Sequence, residues 1–190
     1  MSGKTFVKIS SLTSALLLIL AGITSILEIT IPSLFFGFLL VPSFICLVAG
    51  LAQIHKQFMI SGLLSVVFAS MYGLCASFNY FSQINFRLRN IPISQSLEMT
   101  NPDSIFWVIE ILAYFFMGLA TLALIPAFRG TKVGRTIQFL FYINALLGIG
   151  GVIGHVYSWN LNVLMVGLMI WNFIMPLAAI MVFFYVRQMK

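Results

Sequence analysis

The chain has 190 residues, of which 61% are hydrophobic and 7% are charged, and its formal net charge is +6. Soluble domains contain roughly 45–50% apolar and about 25% charged residues, so this chain lacks the polar groups to cover a water-facing surface. The composition excludes a soluble globular protein and predicts an integral membrane protein surrounded by lipid. The positive charge is explained by membrane orientation, and no nucleic-acid partner is expected.

The apolar segments are long and continuous, without the alternation of apolar and polar residues that a barrel strand requires. Because lipid offers the backbone no hydrogen-bond partner, helices are then the remaining way to span a membrane. We predict an all-α bundle of six transmembrane helices that forms a single domain over residues 1–190. In chain order the predicted helices are 9–27, 31–54, 57–81, 105–128, 136–157 and 163–186, with a polar external loop at 82–103.

Alternatives to two separate membrane spans have to be weighed for the first two predicted helices. Lys4 and Lys8 before an apolar segment are also typical of a signal peptide, but no small-x-small cleavage site follows Leu20, so an uncleaved span is expected. Only Glu28–Thr30 separate this helix from the second. A five-helix chain with a re-entrant hairpin at this point is the alternative, and we favour six spans, each about 20 residues or longer.

The last three predicted helices carry recognisable local signals. Ser104 is an expected N-cap for the fourth helix. The fifth helix contains several glycines, and Gly150 and Gly154 form a GxxxG pattern that permits close helix contact inside the bundle or between protomers. We therefore expect the fifth helix to pack by this glycine face.

Lysine and arginine residues are distributed unequally between the two sides of the predicted bundle. One side carries eight of them and the other carries only Arg87 and Arg89. Cytoplasmic loops are enriched in Lys and Arg, so both termini are predicted to be cytoplasmic and the loop 82–103 external. The expected location is the cell membrane, as a multi-pass protein.

Several polar residues fall within the external halves of the predicted helices. Glu110 lies six residues after Ser104, about 9 Å into the fourth helix. An ionisable group within a span is costly and usually faces the bundle interior or a wet cavity. The predicted ligand-binding residues, which are expected to line one external cavity, are Glu110, His155, Tyr114, Asn79 and Asn172. The alternative is that these groups only form hydrogen bonds between helices.

Catalytic and metal-dependent functions receive little support from the residues. The chain has two histidines and no HExxH, Walker A or GxSxG motif, so no metal site and no cofactor are expected.

We expect a polytopic membrane protein whose outward-facing polar pocket binds or transports a small solute. A membrane-embedded enzyme acting on a lipophilic substrate, with Glu110 and His155 as an acid–base pair, is one alternative. A non-catalytic partner or sensor subunit is the other. The expected partners are membrane lipid, a small-molecule ligand, and a membrane partner subunit or a second copy of the chain.

Overall fold

The computed structural model of the protein describes residues 2–55, 59–97 and 101–189. Over these residues the fold is entirely helical, and it contains six helices that are long and apolar enough to cross a membrane. The prediction of six helices of spanning length is confirmed. The helices are α1 (Gly3–Ile26), α2 (Thr30–Ile54), α3 (Met59–Leu88), α4 (Ile105–Leu124), α5 (Lys132–Val156) and α6 (Leu161–Gln188).

The helix bounds differ from the prediction most at the start of α1, the end of α3, the start of α5, which begins at Lys132 rather than at residue 136, and the end of α4, which ends at Leu124 rather than at residue 128. The Ser2 side chain caps α1 by accepting a hydrogen bond from the Thr5 N–H, so the helix begins at Gly3 rather than at residue 9. Helix α3 continues to Leu88, whereas the loop was predicted to begin at residue 82. Its last turns persist because they pack against protein: Gln83 is buried and donates to the Leu97 carbonyl at 3.2 Å. The predicted start of this helix, residue 57, lies outside the described residues.

The six helices form a closed ring. Each helix packs against its neighbours in sequence, and α6 packs against α1. Successive helices run in opposite directions, so two ends can be defined. The termini end carries both chain termini, where the Lys4 ammonium donates to the Met189 carbonyl at 3.2 Å. The loop end carries the connection between α3 and α4.

Small residues set the close contact between α4 and α5. A Cβ atom added to Gly118 would lie 3.1 Å from the Ala145 Cα, and one added to Gly148 would lie 2.8 Å from the Tyr114 carbonyl oxygen. Backbone atoms therefore touch at two levels, as is usual where small residues meet in membrane helices. The Asn144 amide also donates to the Thr121 hydroxyl at 2.8 Å within this interface.

Aromatic side chains fill the termini end of the ring. Phe128 is fully buried, and its ring lies 5.1 Å from that of Tyr185 and 5.5 Å from that of Phe141. The Tyr185 hydroxyl donates to the Ala127 carbonyl at 3.1 Å, and the His55 ring packs beside both Phe128 and Tyr185. This aromatic cluster closes the termini end.

The halves of α1 and α6 that lie toward the loop end bury fewer residues than their halves toward the termini end. All buried residues of α1 lie between Val7 and Leu18, and none lies in the part that follows. In α6 the first buried residue is Trp171, ten positions after the helix begins at Leu161. These two half-helices are therefore the least packed part of the bundle.

Candidate functional site

A cavity of about 190 Å³ lies between α4, α5 and α6, toward the loop end. Helix α4 contributes Glu110 and Tyr114 to its wall, and α5 contributes Gly148, Gly150 and Gly151. Leucine, valine and isoleucine side chains form much of the remaining surface. Among the described residues of this wall, Glu110 supplies the one carboxyl group, so the cavity is an apolar space with a single acidic side chain.

Neutral hydrogen-bond donors surround the Glu110 carboxyl, which is 4% exposed. The Asn79 amide donates to Oε2 at 2.6 Å, and the Tyr80 hydroxyl donates to Oε1 at 2.7 Å. The Tyr114 hydroxyl lies within hydrogen-bonding reach of the same group. Three donors satisfy a carboxylate well, because this group accepts hydrogen bonds and donates none.

Local sequence explains why these groups meet. Ser104 caps α4 by accepting from the Trp107 N–H at 3.1 Å, which sets where the helix starts and how deep Glu110 lies. Tyr114 follows Glu110 by four residues, so both occupy one face of α4. Gly37 of α2 makes room for the Tyr80 ring, since a Cβ atom there would lie 3.0 Å from two of its carbons.

Tryptophan side chains form a second part of the cavity wall. All three tryptophans of the chain, Trp107, Trp159 and Trp171, line it. The Trp171 ring meets the Tyr114 ring edge to face, with centroids 4.6 Å apart. Trp107 and Trp171 are each 7% exposed, and neither indole N–H has a hydrogen-bond partner among the described residues. The cavity is thus rich in aromatic faces close to a carboxyl group.

The structure brings some of the predicted site residues together and separates others. Glu110 and Tyr114 line the cavity, and Asn79, which is fully buried and does not line it, donates to Glu110 from behind this wall. His155 is half-buried on α5 but is not among the residues that line the cavity. Asn172 is exposed on α6, where its amide donates to the Leu168 carbonyl at 3.1 Å, and its Oδ1 faces Gly22 of α1. Of the five predicted residues, Glu110 and Tyr114 therefore line the cavity.

The two glycines of the predicted GxxxG pattern of α5 differ in their surroundings. A Cβ atom added to Gly150 would meet nothing within 4 Å, because this residue borders the cavity. One added to Gly154 would lie 2.7 Å from the Leu164 side chain and 2.9 Å from the Trp159 ring. Gly148, rather than Gly150, makes the close contact with α4.

Sequence reasoning missed three of the residues at this site. Tyr80 directly follows Asn79, but its hydroxyl reaches Glu110 only because Gly37 admits the ring. Trp107 lies near the start of α4, where tryptophan commonly sits at the membrane surface, but its side chain is buried and lines the cavity. Trp171 lies within a long apolar segment whose sequence does not show which way the ring points, and its contact with Tyr114 reveals its place.

Metal binding finds no support in the part of the chain that the structure describes, where no group of three or more His, Cys, Asp or Glu side chains could hold an ion. No protein-family model matches the chain, and no curated protein or solved structure is detectably similar to it. Function must therefore be inferred from the site itself.

Proposed function

We propose that the protein is a multi-pass protein of the cell membrane that binds or transports a small amphipathic solute in the cavity between α4, α5 and α6. The observation that carries the proposal is the Glu110 carboxyl, buried at the wall of an otherwise apolar cavity. An ionisable side chain inside a span is expensive and is usually retained for function. A mostly apolar cavity with one polar group is also the common form of a small-molecule site.

The amphipathic nature of the solute follows from the distribution of polar groups. The side-chain oxygen atoms of the wall belong to Glu110 and Tyr114 of α4, whereas α5 contributes glycines and leucines and α6 contributes mainly aliphatic residues and Trp171. A solute with one polar end and an apolar body would match both parts. The first ten residues of α6 are not buried, which supports access to the cavity from the loop end of the bundle.

The orientation is part of the same proposal. Of the eight Lys and Arg residues that the structure describes, six belong to the termini end and two to the loop end, which supports cytoplasmic termini and a cavity on the external side. Lys56 and Lys190, the other two of the chain, lie outside the described residues. A reporter that is active only outside the cytoplasm should give no signal when it is fused to the C-terminus, and a strong signal would contradict the orientation.

An acid–base enzyme is less well supported than a binding protein. The alternative required Glu110 and His155 to face one substrate, and His155 does not line the cavity in which Glu110 lies. The proposal therefore concerns binding, with the Glu110 cluster as the polar part of the site.

Filling the cavity tests the proposal. Gly150→Leu places a side chain in open space, whereas Gly22→Leu places the same side chain on α1, away from the cavity. We expect a small molecule to be retained by the wild type and by Gly22→Leu in native mass spectra, and to be lost from Gly150→Leu. Equal retention by both variants would contradict binding at this cavity.

A further inference from the structure

We infer that the solute is a lipophilic organic cation, an ammonium group that carries an apolar body of about the size of a benzyl group. This inference rests on the proposed function and adds the chemical class of the ligand. It follows from three features of one cavity: the charge of its wall, the aromatic rings beside that charge, and its volume.

An ionised Glu110 carboxyl would need a positive charge nearby, and the described side chains recorded in contact with it supply none. The groups recorded in contact with the carboxyl, within the described part of the chain, are the uncharged donors Asn79, Tyr80 and Tyr114. Hydrogen bonds lower the cost of a buried carboxylate, but a charge removed from water is best compensated by an opposite charge. A cation in the cavity would provide this compensation at the one wall that is acidic.

The aromatic rings favour the same ligand. Tyr114 and Trp171 form an edge-to-face pair beside Glu110, and Trp107 lies on the same wall of α4, one helical turn before it. Cations are attracted to the faces of tryptophan and tyrosine rings, and several such rings around an ammonium group are a known means of binding quaternary amines. An anion would be repelled by an ionised Glu110 carboxylate.

The volume and the remaining wall define the body of the ligand. A cavity of about 190 Å³ is comparable to the roughly 150 Å³ apolar cavity that accepts benzene in another protein. Leu146, Leu147, Leu164 and Leu168 supply aliphatic surface opposite the acidic wall. A trimethylammonium or protonated amine attached to one ring would fill this space.

A choline headgroup of a membrane lipid has the same chemistry as a free organic cation. Glu110 lies six residues beyond the cap of α4, about 9 Å along the helix axis. With the cap of α4 at the membrane surface, this distance would place the carboxyl below the headgroups, where a free cation with its own apolar body fits better than a headgroup tied to two acyl chains. The inference therefore commits to the free cation.

The test is a titration of the full-length protein in nanodiscs of phosphatidylglycerol, which contain no choline. Benzyltrimethylammonium is the probe, and neopentylbenzene is its neutral counterpart of equal shape. Because all three tryptophans line the cavity, tryptophan fluorescence reports occupancy there. We expect a saturable change with the cation and at least about tenfold weaker binding after Glu110→Gln, since a buried charge pair would lose one partner. Glu28→Gln, the same change at an exposed turn, should leave binding unchanged.

Each contrary result has a distinct meaning. If neopentylbenzene binds as tightly as the cation, or if Glu110→Gln binds the cation normally, the ligand class is wrong and the binding function stands. If neither compound changes the fluorescence, both the ligand class and the proposed function are wrong. If phosphatidylcholine nanodiscs abolish binding of the probe, the cavity holds a lipid headgroup and the free cation is overturned.

A second variant protects the test against misfolding of Glu110→Gln. Gly150→Leu fills the cavity and leaves the carboxyl and its three donors in place. We expect this variant to lose the cation titration while it keeps the melting temperature of the wild type. Normal binding of the cation by Gly150→Leu would overturn the assignment of the ligand to this cavity.

Discussion

The helices pack closely at the termini end of the bundle and less closely at the loop end. At the termini end, Phe128 and Tyr185 form part of a buried aromatic cluster that fills the ring. At the loop end, α1 and α6 bury none of their residues, and a cavity with a carboxyl group in its wall remains between α4, α5 and α6. Lipid removes most of the hydrophobic drive for helices to associate, so close packing requires specific fits. Where such fits end, the helices separate and leave the cavity between them.

Removal of a ring from the aromatic cluster should have the largest effect on stability. Phe128→Ala leaves a void in a region where Phe128 is fully buried, and it should cost about 3 kcal/mol of unfolding free energy. Phe173→Ala, which removes a ring that is 77% exposed at the loop-end half of α6, should change stability by less than about 0.5 kcal/mol. Thermal or denaturant unfolding in detergent measures both. Equal losses would mean that the two ends are packed alike.

Two neighbouring glycines of α5 offer a sharper comparison. Gly148→Leu forces a side chain against the Tyr114 carbonyl and the Phe115 Cα atom, and overpacking of this kind costs about 1–3 kcal/mol. Gly150→Leu projects into the cavity and should cost little. The melting temperatures of the two variants check this difference. A larger loss for Gly150→Leu would mean that the cavity does not exist in the membrane.

The hydrogen bonds to Glu110 should make a moderate contribution to the free energy of unfolding. Tyr80→Phe removes the donor to Oε1 and should lower stability by about 1.5–3 kcal/mol if the carboxyl is ionised. Tyr142→Phe makes the same chemical change at an exposed position of α5 and serves as the control. Indistinguishable unfolding curves for the two variants would show that the contact with Tyr80 is not formed.

A pH effect should arise at the termini end. Burial lowers the pKa of His55 below its ordinary value of 6.5, because the charged imidazolium is poorly solvated beside Phe128 and Tyr185. Below pH 6.5 the unfolded chain takes up a proton at this position before the folded protein does. Stability is therefore retained above pH 6.5 and lost as the pH falls from 6.5 toward the lowered pKa.

His55→Gln isolates this contribution, since glutamine does not titrate. The melting temperature of the wild type should fall more steeply between pH 7 and pH 5 than that of the variant. Parallel pH profiles would show that His55 is solvated in the folded protein.

The sequence predicted the helices better than it predicted the site. Six long apolar segments suffice to locate six helices, because backbone hydrogen bonding in lipid leaves few alternatives. Counting residues from helix ends also gave the depth of Glu110 and Tyr114. Depth says nothing about the direction in which a helix face points, and this direction depends on packing. Asn79, His155 and Asn172 have suitable depths but do not line the cavity, and the close contacts at Gly118 and Gly148 fix how α5 is rotated against α4.

Chemical labelling at position 150 would examine both the cavity and its charge. In a background with Cys46→Ala and Cys75→Ala, Gly150→Cys places one thiol in the open space beside Glu110. A thiosulfonate reagent that carries trimethylammonium should label this thiol faster than its sulfonate counterpart by a larger factor than it labels a free thiol in solution, and Glu110→Gln should reduce the factor to that of the free thiol. A thiol that reacts with neither reagent, or one whose factor in the presence of Glu110 equals that of the free thiol, would contradict an accessible acidic cavity.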